Sequence, residues 1–132
     1  MVTCIWRRTS RMIDTILDPQ IWLVLVALIH AVVGVIIPTD WKNDTSKMVA
    51  GFMLLTSVTM LYAAFMMEGE EQARLALVIA GPAWVWFVVC CSQGLEYTIG
   101  KEPEVFTFKH AIPPLVLWGI CALSGLLGSG WV

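Results

Sequence analysis

The sequence predicts an all-α integral membrane protein: four transmembrane helices in an up-down antiparallel bundle, with a short N-terminal amphipathic helix lying in the interface. Three observations predict this. First, four long apolar stretches, Ile21–Ile37, Met48–Met67, Leu75–Ser92 and Ala111–Val132, fill most of the 132 residues. Second, none of them contains an Asp, Glu, Lys or Arg. Third, the hydrophobic fraction is 58% and the mean hydropathy +0.79, above the apolar share of roughly 45–50% usual for globular chains. A spanning helix needs about 20 apolar residues. Backbone groups in hydrocarbon must be paired internally, which leaves helices or closed barrels. The whole chain, 1–132, reads as a single transmembrane domain with spans near 20–37, 48–67, 72–97 and 111–131.

Residues 1–18 place Ile5, Trp6, Ile13, Ile16 and Leu17 at roughly helical spacing, with Arg7, Arg8, Arg11, Asp14 and Asp18 between them. That pattern predicts the interfacial helix. The three arginines resemble the start of a signal peptide. However, Asp14 and Asp18 intervene, and Ile36–Ile37–Pro38 offers no small-x-small cleavage site, so the first apolar segment reads as a retained helix. Asp18–Pro19 is an N-cap followed by proline at the first helical position, which starts the first span. Pro38 ends it.

The loop Thr39–Lys47 is short and polar. Trp41 in it suits an interfacial anchor. Asn43–Asp44–Thr45 has the form of a glycosylation sequon, read here as a chance match because the loop lies tight against the membrane. The second span ends at Glu68–Gly69. Glu70 and Glu71 then fall in the first turn of the third helix, where acidic side chains suit the positive end of the dipole. Pro82 frees the carbonyl of Val78 and predicts a kink. The segment Gln93–Lys109 is the longest loop, and a short surface helix is expected within it. Pro113 and Pro114 open the last span.

Charge says little about orientation. Arg7, Arg8, Arg11 and Arg74 flank one side; Lys42, Lys47, Lys101 and Lys109 flank the other. Because three arginines precede the first span, and that span usually dominates, both termini are expected on the cytoplasmic side, or the stromal or matrix side in an organelle. The net charge of −2 with scattered basic residues argues against nucleic acid as a partner. The four cysteines, Cys4, Cys90, Cys91 and Cys121, form no C-x-x-C pair and no zinc spacing. Cys90, Cys91 and Cys121 read as small apolar residues, and Cys4 is a weak candidate for palmitoylation.

His30 is the one histidine deep in a span. A polar group there faces protein rather than lipid. Ala27, Ala31 and Gly34, spaced by four and three, put small residues beside it, so a second backbone can approach. The plainer reading is a neutral histidine hydrogen-bonded to a neighbouring helix. The functional alternatives are a haem or chlorophyll ligand, a proton relay or a substrate contact, which makes His30 the candidate cofactor-binding residue, with no cofactor firmly implied. A second candidate is polar: Gln93, Glu96 and Tyr97 at the exit of the third helix, His110 at the start of the fourth, and Asp40. If the third helix runs on past Ser92, Gln93 and Tyr97 share one face. A third feature is the small-residue stripe Cys121, Gly125 and Ser129, beside Ser124 and Gly128, all at spacings of four. It suits close packing against another helix, inside the chain or in a partner.

No H-E-x-x-H site, G-x-S-x-G elbow or glycine-rich phosphate loop is present. The expected function is therefore a non-catalytic accessory or scaffold subunit of a larger membrane complex, with the bilayer and other membrane subunits as partners. The alternative is a small membrane enzyme or a lipid- or cofactor-binding protein with a polar site between helices. The small multidrug exporters resemble this chain in size only, since their first helix carries a glutamate. Gly51 to Ala64, reading GFMLLTSVTMLYAA, then a short acidic loop and a third helix closing on Gly94–Leu95–Glu96–Tyr97, resembles the four-helix sterol-biosynthesis scaffold proteins of the endoplasmic reticulum. The spacing from the second helix to Glu96 differs from theirs. The resemblance favours a scaffold role and assigns no residue.

Overall fold

The computed structural model describes residues 15–132. The expected interfacial helix falls largely on residues 1–14, as do Cys4, Arg7, Arg8 and Arg11, and so lies outside the described residues. Helix α1 spans Pro19–Ile29 and passes directly into a π-helical segment, π1, over His30–Ile36. Helix α2 spans Asp44–Met66 and α3 spans Gly69–Gln93. A two-stranded hairpin follows, β1 Glu96–Tyr97 and β2 Glu104–Val105, and then α4 over Phe108–Gly128. Four helical stretches, Pro19–Ile36, Asp44–Met66, Gly69–Gln93 and Phe108–Gly128, are long and apolar enough to cross a membrane. At about 1.5 Å per residue, the 23 residues of α2 exceed a hydrocarbon core of roughly 30 Å. The class of protein is thus a multi-pass, α-helical membrane protein.

The helix ends show why each span begins and stops where it does. Asp18 accepts from the Gln20 N–H at 2.9 Å, with Pro19 inside the first turn. α2 starts at Asp44, four residues before the expected 48, because Asn43 Oδ1 caps it, accepting from Thr45 N at 2.9 Å and Ser46 N at 3.2 Å. The sequon asparagine is therefore a helix cap. α3 stops at Gln93, not near 97. Gly94 turns left-handed (φ 60°, ψ 43°), and Leu95 N donates to Cys90 O at 3.1 Å, the closing pattern that glycine allows at a helix end. α4 begins at Phe108, ahead of the expected 111, so Pro113 and Pro114 lie inside the helix and do not open it.

The expected surface helix in 93–109 is a hairpin in the structure. Glu96 pairs with Val105 and Tyr97 with Glu104, antiparallel. The intervening Gly100 and Pro103 favour a turn over a helix. Gly100 also needs to be glycine for space: a Cβ there would sit 3.0 Å from the Pro38 carbonyl oxygen.

The core is built from small side chains. Ala27, Ala63, Ala64, Ala76, Ala80 and Cys121 are buried together with Leu23, Val26, Met60 and Trp118. The most extensive helix contact is between α3 and α4; α1 packs on α2 and α4, whereas α2 touches α3 only lightly despite the short link between them. Lipid is as apolar as leucine, so this packing rests on close van der Waals contact and not on the exclusion of water. The closest approach is at Gly125: a Cβ built there would lie 2.6 Å from Leu77 N and 2.7 Å from Ala73 O. Both are backbone atoms, so no rotamer change relieves the clash.

Gly125→Ala is therefore expected to push α3 and α4 apart and destabilise the fold by about 1–3 kcal/mol, the usual cost of overpacking. Gly51→Ala, where a Cβ meets nothing within 4 Å, is expected to be neutral or slightly stabilising, as alanine is the better helix former. Thermal unfolding of both variants in the same detergent checks the contrast.

Candidate functional site

His30 stands where α1 becomes π1, at a junction of three helices. Its Nδ1 lies 2.9 Å from the Ser57 Oγ of α2. Its ring meets Trp118 of α4 edge-on, with centroids 5.4 Å apart and planes at 84°. Trp118 in turn packs on Phe87 of α3 at 6.3 Å. A hydrogen bond between a half-buried imidazole and a buried serine pairs the hydroxyl and one ring nitrogen where water is absent. The aromatic edge contact adds a directional preference. π segments insert an extra residue and collect at functional positions in helices; here the segment starts at His30, which lies deep in the first span, whereas His110 sits in the first turn of α4. At the end of π1, Ile37 N donates to Val32 O, the i to i−5 bond.

The small residues around His30 are placed unequally. Ala27 is fully buried in the core, Ala31 is partly covered, and Gly34 is exposed, where a Cβ would meet the His30 ring at 3.4 Å. In α4 and at its C-cap, Cys121, Ser124, Gly125 and Ser129 are all buried, and both Gly125 and Gly128 lie against Ala73 of α3. This stripe faces a helix of the same chain. The Ser124 and Ser129 hydroxyls donate to carbonyls one turn back, so they pack as small, self-satisfied groups.

The predicted polar cluster is divided. With α3 ending at Gln93, Gln93 and Tyr97 do not share a helix face; Gln93, Glu96 and His110 are each exposed. Tyr97 and Asp40 do come together. They line a groove of about 590 Å³ between the first loop and the hairpin, with Trp41, Lys42, Lys101, Glu102 and Glu104 also in its wall. The two sides are joined by Asp40 N donating to Ile99 O at 2.8 Å. Tyr97 donates its hydroxyl to Glu104 Oε2 at 2.8 Å and leans on Phe106 with ring centroids 4.3 Å apart. Partial burial, the bond to Glu104 and the carboxylate's charge, in that order, push the Tyr97 phenol up to about 12.

At the opposite end of the helices, two glutamines that the sequence reading passed over do structural work. Gln72 Nε2 lies within 3.0 Å of the carbonyls of Ala63 and Ala64 and 2.8 Å from that of Met67. Gln20 Nε2 reaches the Ala64 carbonyl as well, at 2.9 Å. Those are the carbonyls that α2 leaves without partners at its C-terminal end. The available signal was a glutamine directly after a tight turn, at the start of an apolar helix. Arg74 closes the same end: it donates to Ser129 O at 3.0 Å, pairs with Glu70 at 2.8 Å and lies over the Trp131 ring at 5.6 Å. Among the described residues, no group of three or more His, Cys, Asp or Glu side chains is placed to hold a metal ion.

Comparison with protein-family models, curated proteins and solved structures finds no match to this chain. The resemblance carried by Gly51–Ala64 gains nothing from these comparisons, and the fold and its two polar sites define the protein.

Two outcomes follow. Ser57→Ala or His30→Leu alone leaves the other polar group stranded and is expected to cost about 1 kcal/mol, the range of hydrogen bonds between membrane helices. The double variant should lose less than the sum, and a thermodynamic cycle of unfolding measures that coupling. Tyr97 should ionise near 12 in an ultraviolet titration of a Tyr62→Phe background, and Glu104→Gln should bring it down toward the ordinary value of 10.0. The raised value means the contribution of this phenol to stability is complete below pH 10.0 and fades as pH climbs to about 12.

Proposed function

We propose that this protein is a non-catalytic accessory or scaffold subunit of a larger membrane complex, its four spans arranged up and down in an antiparallel bundle. The observation that carries this reading is the outer face of α2. Met48, Phe52, Leu55, Tyr62 and Met66 all point outward along it, with Phe52 69% and Tyr62 59% exposed. Aromatic residues and methionine are the types enriched where proteins meet. α2 also packs on α1 and π1 while making little contact with α3 and α4, so it has the largest share of surface to offer a neighbour. The short Met67–Glu68 link between α2 and α3 and the Arg74–Ser129 bond that brings the end of α4 to the start of α3 support alternating directions. The three arginines before the first span support termini on the cytoplasmic, stromal or matrix side.

Phe52→Ala with Tyr62→Ala tests the proposal in protein extracted gently from its own membrane. The expected outcome is a drop from a large assembly to the free chain on native gels, with the thermal stability of the isolated chain unchanged. An assembly of unaltered size, or a wild-type chain that extracts alone, would sink the proposal and leave this face to lipid.

A further inference from the structure

The geometry points to the groove between the first loop and the hairpin as a binding site for the headgroup of a zwitterionic phospholipid. The inference goes beyond the subunit reading and stands independently of it. Four observations carry it. The groove is formed at the end of π1, where Ile37 and Pro38 close the first span, so it lies at headgroup level beside the bilayer. Its aromatic walls are held in place. Trp41 is fixed by its Nε1 donating to Ile36 O at 3.1 Å, and Tyr97 by its bond to Glu104 and its contact with Phe106. The two sides of the groove are locked at fixed separation by the Asp40 N to Ile99 O bond and by the close approach of Gly100 to Pro38. Lastly, both signs of charge are present and unspent. Among the described residues, the only ion pairs are Lys47 with Asp44 and Arg74 with Glu70, so Lys42, Lys101 and Glu102 in the groove pair with nothing.

A ligand that satisfies this lining carries a cation and an anion a few bonds apart. An ammonium suits Glu102 and the faces of Trp41 and Tyr97, since aromatic faces attract cations, quaternary ammonium among them. A phosphate suits Lys42 and Lys101. A phosphodiester joined to an ammonium by two carbons has this form, and the lipid tails then run along the apolar end of π1. An anionic headgroup would meet Asp40, Glu102 and Glu104 with like charge, which opposes its binding.

Native mass spectrometry of the detergent-solubilised full chain, titrated with phosphatidylcholine, phosphatidylethanolamine and phosphatidylglycerol of matched tails and with free phosphocholine, tests the inference. The zwitterionic lipids should bind at least about tenfold more tightly than phosphatidylglycerol, a difference of about 1.4 kcal/mol. Glu102→Lys should reverse that preference, and Lys101→Glu should abolish zwitterion binding while leaving helix content and melting unchanged. If Glu102→Lys lowers the melting temperature, Glu102→Gln gives the same reading with less charge, as loss of the preference without reversal. Equal binding of the zwitterionic and anionic lipids, or indifference to both substitutions, would overturn the site. Free phosphocholine bound as tightly as the lipid would overturn the lipid assignment and make a soluble zwitterion the ligand.

Discussion

The structure depends on one constraint: a peptide group in hydrocarbon has no water to bond, so each must find its partner inside the protein. The helices answer it along their length. The places where a helix cannot answer it are where the side chains become specific. Gln72 and Gln20 take up the loose carbonyls at the end of α2. Asn43 takes up the loose amides at its start. Gly94 and Leu95 close α3 through the backbone alone. Among the described residues, no buried side-chain nitrogen or oxygen lacks a partner. The polar residues of this apolar chain are thus concentrated at its structural exceptions, and His30 with Ser57 is the same rule applied in the middle of a span.

A second constraint follows from the first. With no water to exclude, helices hold together only as far as their backbones can approach. Alanine, glycine, serine and cysteine therefore do in this core what leucine does in a soluble one. The α3–α4 contact at Gly125 is the tightest expression of this, and α2, which has no comparable close approach to α3 or α4, keeps a broad outward face. That inequality among the helices separates a rigid pair from a more open flank, and it is the reason the outer surface of α2 is the one to ask about partners.

How much was legible in the sequence depended on range. The four spans could be read because charge is absent from each for a whole helix length. Their ends were read less well, since a cap such as Asn43 or a left-handed glycine such as Gly94 acts over only a few residues, and the hydropathy pattern blurs over more. The hairpin was missed because its strands are two residues each, held by the Tyr97–Glu104 pair and by Gly100 packing on Pro38, a contact between residues far apart in the chain. The polar cluster was half legible: Asp40 and Tyr97 line one groove, but the lysines and Glu102 beside them look in sequence like ordinary loop residues. Ser57 carried no mark at all. A serine in an apolar helix is common, and what distinguishes this one is a histidine 27 residues away.

The π segment at His30–Ile36 has a consequence for how this chain can change over time. Each i to i+5 ring takes up one residue more than an α ring, so the segment stores chain length inside a helix without a bulge in the loop that follows. Everything beyond it inherits the resulting phase. Loss of a single residue within Ala31–Gly34 would be absorbed as regular α-helix and would leave Thr39, Asp40 and Trp41 close to their present direction, whereas the same loss within α1, which holds no spare residue, would turn everything beyond it by about 100° and carry one wall of the groove away from the hairpin. Length, in this part of the chain, is a reserve: one residue can go from the π segment without the polar end registering the change.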